Sequence, residues 1–246
     1  MSPLKLLRRA ARSLLTEYRF TIYSLATYRK MRGTTPSVCP LCGYEGRFRA
    51  FGLPPRLDAT CPRCGSLERH RLLYLCDQSM RLFTANDHVL HFAPEPCVTA
   101  FVAPKVKTCR TVDLAAGRAD LQLDIEALDL PDHAVDLVLA SHVLEHVDDK
   151  KALRELHRVL KPGGRAVLMF PIVEGWDDTH EDPLVTEAAD RELHFGQTDH
   201  VRFYGRDVRG RIRDAGFKLT EYSGSAVDCL KYGLLKGERV FIAERV

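Results

Sequence analysis

Four of the eight cysteines stand in two closely spaced pairs, and this arrangement can bind a metal ion. The pairs are Cys39-Pro-Leu-Cys42 and Cys61-Pro-Arg-Cys64, separated by 18 residues, and a glycine follows each pair. A C-x-x-C turn brings two thiolates to one side of an ion, and four thiolates satisfy a tetrahedral zinc site. Glycine permits the positive φ at which such a turn continues. The spacing therefore predicts a structural zinc ribbon over residues 37–70 with all four cysteines as ligands.

Two other interpretations of these pairs are disulfide bonds and a redox-active C-x-x-C. Disulfides are typical of secreted proteins, and residues 1–32 lack the uninterrupted apolar core and the cleavage site of a secretory signal. Structural zinc is therefore the favoured interpretation. The other cysteines are scattered, and we interpret them as small buried hydrophobic residues. They are Cys76, Cys97, Cys109 and Cys229.

Acidic residues follow the second of several predicted strands. From about residue 86, short apolar runs alternate with helical stretches, which predicts βαβ units and a parallel sheet. The predicted strands of this part are residues 89–93, 111–114, 134–141 and 165–171. Ligands of open parallel sheets bind at the carboxyl ends of the strands. There Asp113 can accept hydrogen bonds from two ribose hydroxyls, and Asp124 from an exocyclic amine such as that of adenine.

The loop after the first strand, residues 91–96, contains no glycine. A G-x-G-x-x-G sequence is therefore missing at the place where a dinucleotide pyrophosphate would need it, and the chain has no P-loop. These absences disfavour NAD, FAD and nucleoside triphosphates. The acidic residues instead indicate a nucleoside with no phosphate group to bind.

Two further segments carry specific motifs, residues 130–147 and residues 153–165. They resemble the fourth-strand region and the turn before the fifth strand of the class I S-adenosylmethionine-dependent methyltransferases. Residues 192–205 and 215–217, together with the cysteine-rich segment, resemble a bacterial subgroup of that family. The resemblance covers about residues 37–246. It departs from the family at the first loop, where residues 91–96 replace a glycine-rich sequence.

The resemblance implies S-adenosylmethionine as the cofactor. It places Asp113 on the ribose, Asp124 with Ile125 on the adenine side, and residues 140–142 on the methionyl part. In the departing loop, backbone amides would meet the methionine end and Glu95 would take its ammonium group. The full set of expected cofactor-binding residues is Phe92, Ala93, Pro94, Glu95, Asp113, Leu114, Asp124, Ile125, Ser141 and His142.

Methyl transfer from a sulfonium is an in-line displacement that needs alignment, exclusion of water and, for some acceptors, a base. His142 follows the fourth strand, where substrate and methyl donor meet in this fold. His200 lies in residues 171–205, a polar segment that covers the substrate in such enzymes. We therefore predict His142 and His200 as catalytic residues. Further candidates for the base are His146, His180 and His194. Arg202 and Tyr204 are candidates for binding an anionic or polar substrate, and Trp176 for lid packing. A second metal site at the histidines of the insertion (His180, His194 and His200) with Glu181 and Asp182 stays an alternative.

The charge of the chain is unevenly distributed. The whole chain of 246 residues carries +3, but residues 1–32 hold eight basic residues and one acidic residue. Residues 33–75 add six arginines and three acidic residues, so the remainder carries −7. Apolar residues at three- and four-residue steps predict an amphipathic helix over residues 1–36. This helix either packs on the body or contacts an anionic membrane surface or nucleic acid.

Composition excludes several classes of protein. Hydrophobic residues at 45% and charged residues at 28% are typical of a globular chain rather than a disordered or collagen-like one. No run approaches the roughly 18 apolar residues of a membrane span, and we expect a cytoplasmic protein, with peripheral membrane contact as an option. The predicted fold is α/β: a Rossmann-like, doubly wound, mostly parallel sheet over residues 71–246 with a terminal antiparallel hairpin. The ribbon and the basic helix precede it.

The acceptor of the methyl group is the least determined feature. A small-molecule or glycan-type acceptor is the favoured prediction. One alternative is an RNA or protein methyltransferase that docks its substrate on the ribbon, since a basic front end suits a polyanion. The other is a non-catalytic zinc-ribbon module on a degenerate cofactor fold, suggested by the loop without glycine.

Overall fold

The structure is a computed structural model that describes Thr27, Met31, Gly33, residues 35–52 and residues 55–246. The predicted basic helix over residues 1–36 lies almost entirely outside the described residues. Within the described part of the chain, no helix is both long and apolar enough to cross a membrane.

Two short hairpins form the ribbon, and a helix follows them. Strand β1 (Ser37–Val38) pairs with β2 (Glu45–Gly46), and β3 (Arg49–Phe51) pairs with β4 (Arg56–Thr60), both antiparallel. Helix α1 (Glu68–Met80) begins directly after the second cysteine pair.

A seven-stranded sheet forms the body. Its strands are β5 (His88–Phe92), β6 (Thr108–Asp113), β7 (Leu121–Gln122), β8 (Val135–Ser141), β9 (Leu160–Met169), β12 (Phe217–Tyr222) and β13 (Val240–Arg245). The spatial order is β12-β13-β9-β8-β5-β6-β7. Pairing is parallel from β7 to β9, whereas β13 runs antiparallel to both β9 and β12. The predicted mostly parallel sheet with a terminal antiparallel hairpin is confirmed.

Helices cover both faces of this sheet. They are α1, α2 (Pro96–Val102), α3 (Asp149–Val159), α4 (Ala188–Phe195), α5 (Val208–Asp214) and α6 (Ala226–Tyr232). Successive residues of a strand point to opposite faces. Accordingly, Leu137 and Leu139 of β8 pack in one cluster with Leu72 of α1, and Val138 packs in another with Leu153 of α3. Burial on both faces explains why β8 is an unbroken apolar run.

A small hairpin lies between the fifth and sixth strands of the sheet along the chain. Strand β10 (His180–Glu181) pairs antiparallel with β11 (Arg202–Phe203) outside the main sheet. Helix α4 lies between them in sequence. The sequence did not predict this hairpin, because strands of two residues give no alternation to detect.

The sequence pattern predicts one helix over residues 143–160, and this prediction is wrong over residues 143–148. The chain instead forms a 3₁₀ helix (Leu144–His146), and α3 begins only at Asp149. The physical reason is Asp148, whose carboxylate accepts a hydrogen bond from the Lys151 N–H at 3.2 Å and caps a new helix. Glu145 and His146 therefore lie on a tight turn rather than along one helical face.

One buried arginine joins the ribbon to the body. Arg71 of α1 has 0% exposure, and its five N–H groups donate to five backbone carbonyls at 2.5–3.4 Å. The acceptors are Asp58, Ala59 and Ser66 of the ribbon, and Tyr232 and Gly233 at the end of α6. A single side chain thus satisfies carbonyls from both parts of the molecule.

Replacement of Arg71 by Met should destabilise the protein strongly, because five buried carbonyls lose their donor at once. We expect a loss of roughly 3–5 kcal/mol in urea unfolding followed by circular dichroism. Arg71→Lys should be intermediate, because an ammonium has only three donors and lacks the planar fork. Arg118→Met, at an exposed position, serves as the control and should change stability by less than about 0.5 kcal/mol. An Arg71→Met variant as stable as the control would refute the anchoring role.

Candidate functional site

The two cysteine turns of the ribbon have the same backbone geometry. In the first, the Gly43 N–H donates to the Cys39 carbonyl at 2.9 Å; in the second, the Gly65 N–H donates to the Cys61 carbonyl at 3.0 Å. Both glycines have positive φ, 68° and 73°, as the sequence predicts. The repeated turn directs all four sulfur atoms towards one point.

The cysteine sulfur atoms are spaced for a tetrahedral ion. Cys39 and Cys64 are 3.6 Å apart at Sγ, as are Cys42 and Cys61, and all four sulfurs lie within 4.8 Å of one another. A zinc ion about 2.3 Å from each thiolate separates them by about 3.8 Å, whereas a disulfide needs about 2.05 Å. All four cysteines are free thiols. The donor set therefore fits zinc and not a pair of disulfides.

A serine hydroxyl contacts two of the four cysteine sulfur atoms. The Ser66 hydroxyl lies 3.3 Å from the sulfur of Cys39 and 3.2 Å from that of Cys64. Burial raises the pKa of Cys64, but hydrogen bonds from the hydroxyl and backbone of Ser66 more than offset it, and the pKa falls to about 7. A lowered thiol pKa favours the thiolate that a metal requires. Burial instead raises the pKa of Cys42 and of Cys61.

A cavity of about 500 Å³ lies at the carboxyl ends of β5, β6 and β8. Of the ten predicted cofactor-binding residues, seven line it: Phe92, Ala93, Asp113, Leu114, Asp124, Ile125 and His142. Residues from three separate strands thus meet where the sheet changes winding direction, which is where ligands of such sheets bind. We call this the donor cavity.

The two acidic residues of the donor cavity each keep acceptor capacity. Asp113 uses Oδ1 to accept from the Ala115 N–H at 2.8 Å, and Asp124 uses Oδ1 to accept from the Glu126 N–H at 2.9 Å. These local turns hold both carboxylates in place. The Oδ2 atoms accept no hydrogen bond from any other described residue and are available to a ligand.

Two residues of the donor cavity have left-handed backbones without being glycine. Ala93 has a φ of 46° and His142 a φ of 56°, a conformation that costs roughly 1–2 kcal/mol for an L-residue. Hydrogen bonds hold both, from the Ala93 N–H to the Val112 carbonyl at 2.9 Å and from the His142 N–H to the Met169 carbonyl at 2.7 Å. Ala93 thus gives the loop without glycine a turn that glycine ordinarily provides.

The structure places Glu95 away from the donor cavity. Its carboxylate forms an ion pair with Arg69, and Nε2 of His70 lies 2.7 Å from Oε2. Burial lowers the pKa of His70, which favours its neutral form. Burial would raise the pKa of Glu95, but these two partners hold it near 2. The expected contact with an ammonium group is therefore replaced by one with α1. Neither Pro94 nor Ser141 lines the cavity, and the Ser141 hydroxyl is buried with no partner in the described chain.

A second cavity of about 720 Å³ adjoins the first. Its wall comes from the ribbon (Phe51, Gly52), the end of β9 (residues 170–172) and the turn before β13 (residues 235–238). His142 and His146 line both cavities. We call the second one the acceptor cavity, because a methyl group at the mouth of the donor cavity would face it.

Part of the body resembles known methyltransferases in sequence. Residues 102–168 match the family described as methyltransferase domain. The ubiquinone/menaquinone biosynthesis C-methyltransferase UbiE of Escherichia coli is 34% identical over 127 residues, 46% of this chain and 51% of the relative. The chain thus spans about half the length of the curated relatives it matches.

Solved structures share the fold at low identity. The YcgJ protein of Bacillus subtilis aligns with a TM-score of 0.51 at 17% identity, over 72% of this chain and 99% of that one. A chain from the Haloferax volcanii complex of the Trm112 methyltransferase activator with its methyltransferase aligns with a TM-score of 0.51 at 16% identity, over 72% and 89%. The body of this chain thus shares the fold of these structures, and residues 102–168 within it match a methyltransferase domain.

The two predicted catalytic histidines differ in setting. His142 is partly exposed between the cavities, with Nδ1 3.0 Å from Oε1 of Glu145. His200 lines the acceptor cavity but is only 3% exposed. Its Nδ1 lies 3.1 Å from the Phe195 carbonyl, and burial lowers its pKa.

Several further candidates line neither of the two cavities. Arg202 is buried and donates to the carbonyls of Leu144 and Val147 and to Glu181. Tyr204 is fully buried and its hydroxyl bonds the Leu144 carbonyl and Asp149. Trp176, His180 and His194 line neither cavity.

One acidic residue of the acceptor cavity had no signal in the sequence. Glu238 stands before β13, and its Oε2 is sealed from solvent with no hydrogen-bond partner among described residues. Burial, together with the charge of Glu68, raises the pKa of Glu238 to about 7. The opposing effects of His142, Arg69 and Arg56 are smaller. No motif surrounds Glu238, so only the fold brings it to the site.

Proposed function

We propose that this protein transfers the methyl group of S-adenosylmethionine to a small polar acceptor. The observation that carries the proposal is the meeting of two cavities at His142 and His146. One cavity contains carboxylates suited to a nucleoside, and the other opens between the ribbon and the methyltransferase domain. A donor and an acceptor bound in them would face each other at the shared wall.

The donor cavity fits the cofactor by chemistry. The free Oδ2 of Asp113 suits the ribose hydroxyls, and Asp124 with the buried Ile125 suits the amine and the ring of adenine. The bound cofactor would supply an electrophilic methyl group on a sulfonium that leaves as a neutral thioether. The chain's own part is then to align the two ligands, exclude water and accept a proton.

The charges of the acceptor cavity favour a small hydroxylated or glycan-type acceptor over a nucleic acid. Three basic and three acidic residues line it: Arg56, Arg69, Lys236, Glu68, Glu174 and Glu238. A phosphodiester chain would prefer a clear positive excess. Its volume of about 720 Å³ lies within the usual 300–1,000 Å³ of small-ligand sites. Docking of RNA or protein on the ribbon, and a cytoplasmic location near a membrane, stay predictions.

Glu238 is our candidate for the proton acceptor. A catalytic base works best when its pKa lies near the working pH, and Glu238 has a pKa of about 7 and a carboxylate oxygen without a partner. The acceptor would give its proton to Glu238 as it gains the methyl group. His142, on the shared wall, would contact the acceptor, and His200 would line its site.

We further propose that the cysteine cluster binds structural zinc. Four thiolates at the observed spacing close a tetrahedral site with no open position. Such a site stabilises the fold directly, since binding energy becomes folding energy. In this protein it would fix the ribbon that forms one wall of the acceptor cavity.

Asp113→Asn should weaken cofactor binding. Loss of a charged acceptor for two hydroxyls should raise the Kd for S-adenosylmethionine roughly 10- to 100-fold in isothermal titration calorimetry. Asp129→Asn, at an exposed position outside the cavity, is the control and should bind as wild type does. Failure of the wild-type protein to bind the cofactor would overturn the proposed function.

Glu238→Gln should remove both activity and its pH dependence. In the wild type, the rate should rise with pH through about 7, because only the ionised carboxylate accepts a proton. The amide cannot do so, and we expect a loss of about 10²- to 10⁴-fold with no step near pH 7. The control Glu244→Gln, on β13 outside the cavity, should keep the wild-type pH–rate profile. An unchanged profile in Glu238→Gln would exclude Glu238 as the base.

Cys61→Ser should release one equivalent of zinc and lower the midpoint of thermal unfolding. Elemental analysis after gel filtration measures the zinc. Cys229→Ser, at a half-buried cysteine outside the cluster, is the matched control and should retain it. Unchanged zinc content in Cys61→Ser would refute the four-cysteine site.

A further inference from the structure

A second group of metal-binding residues lies where the two cavities meet. Glu145 and His146 stand on the 3₁₀ helix, and His200 follows α4. One ligand atom from each lies within 4.8 Å of the other two. An ion about 2.1 Å from each donor would hold them about 3.4 Å apart, so a small movement of side chains brings all three onto one ion.

The carboxylate of Glu145 is the strongest sign of a missing partner. Glu145 is only 1% exposed, and neither of its oxygens accepts a hydrogen bond within the described chain. His142 Nδ1 lies 3.0 Å from Oε1, but Oε2 has no comparable neighbour. Burying a carboxylate without hydrogen bonds is costly. A bound cation would supply the missing interaction.

The two histidines are oriented as metal ligands usually are. Nδ1 of His200 lies 3.1 Å from the Phe195 carbonyl, and Nδ1 of His146 lies 3.3 Å from the Asp199 carbonyl. A proton on Nδ1 bonded to a carbonyl leaves Nε2 with its lone pair free. Ligating histidines typically donate their other N–H to a carbonyl or carboxylate in this way.

The donor atoms indicate the class of ion. Two imidazole nitrogens and one carboxylate oxygen suit zinc in catalytic sites and divalent iron, which keep an open position for a water or substrate. This set differs from the four thiolates of the ribbon. It shares only His200 with the alternative metal site predicted from the sequence, which comprised His180, His194 and His200 with Glu181 and Asp182; among described residues, those five form no such cluster.

We propose that Glu145, His146 and His200 bind a divalent transition-metal ion whose open coordination position faces the acceptor cavity. An acceptor oxygen bound there would be held beside the donor cavity, and its O–H would become more acidic, because a metal lowers the pKa of a bound hydroxyl. The proton would pass to Glu238. Ion binding itself does not depend on methyl transfer; only this role rests on the proposed function.

The test is a calorimetric titration of the full-length protein, with zinc retained in the ribbon, using Co²⁺ as the probe. Wild type should bind one further equivalent, with weak ligand-field absorption and no thiolate charge-transfer band. Glu145→Gln and His200→Gln should each weaken Co²⁺ at least tenfold. His194→Gln, an exposed histidine outside the cluster, is the control and should bind as wild type does.

Two outcomes would overturn the proposal: no further equivalent of Co²⁺ in the wild type, or equal affinity in Glu145→Gln. Binding of S-adenosylmethionine by each variant, measured in parallel, shows that the domain remains folded. Methyl transfer without Co²⁺ or Zn²⁺ uptake at this site would refute the proposed metal site but not the proposed function. Metal uptake without methyl transfer to any tested acceptor would refute the proposed function but support the metal site.

Discussion

The junction between the ribbon and the methyltransferase domain depends on one buried cation. Arg71 hydrogen-bonds to no carboxylate among the described residues; its donors all go to carbonyls, and its guanidinium lies 4.5 Å from the centre of the Phe48 ring. A guanidinium stays charged when buried and holds its donors in a rigid plane. It therefore fixes the end of β4, the second cysteine turn and the end of α6 relative to one another. The acceptor cavity forms among these segments.

The first turn of α1 also contacts the loop that follows β5. Glu68 pairs with Arg56 of β4, whereas Arg69 and His70 pair with Glu95 after β5. Consecutive residues of a helix point in different directions, so a run of charged residues can bind a different segment at each position. The ribbon is thus coupled to both cavities. It forms a wall of the site rather than an independent module.

Local pattern was enough to predict some of these features. Cysteine and glycine spacing gave the two turns, apolar runs gave the main strands, and a strand end placed Asp113. The contacts of Glu95 with Arg69 and His70 could not be predicted, because these partners lie about 26 residues earlier in the chain, where no local pattern records the contact. The burial of Glu145 depends on packing of the segment after β9, and Glu238 reaches the site only through sheet topology. Such contacts need the fold itself.

Several irregular features lie near the place where the two cavities meet. Ala93 and His142 have left-handed backbones, Glu145 has a buried carboxylate without hydrogen bonds, and the Ser141 hydroxyl has no partner. Many acidic groups elsewhere are paired, as Asp136 is with Lys161 at 2.8 Å, although buried atoms of Asp58, Thr60 and His91 also lack partners among described residues. Strain and unsatisfied groups often persist where function compensates for them. The unsatisfied groups beside the two cavities are the ones that a bound ligand would reach.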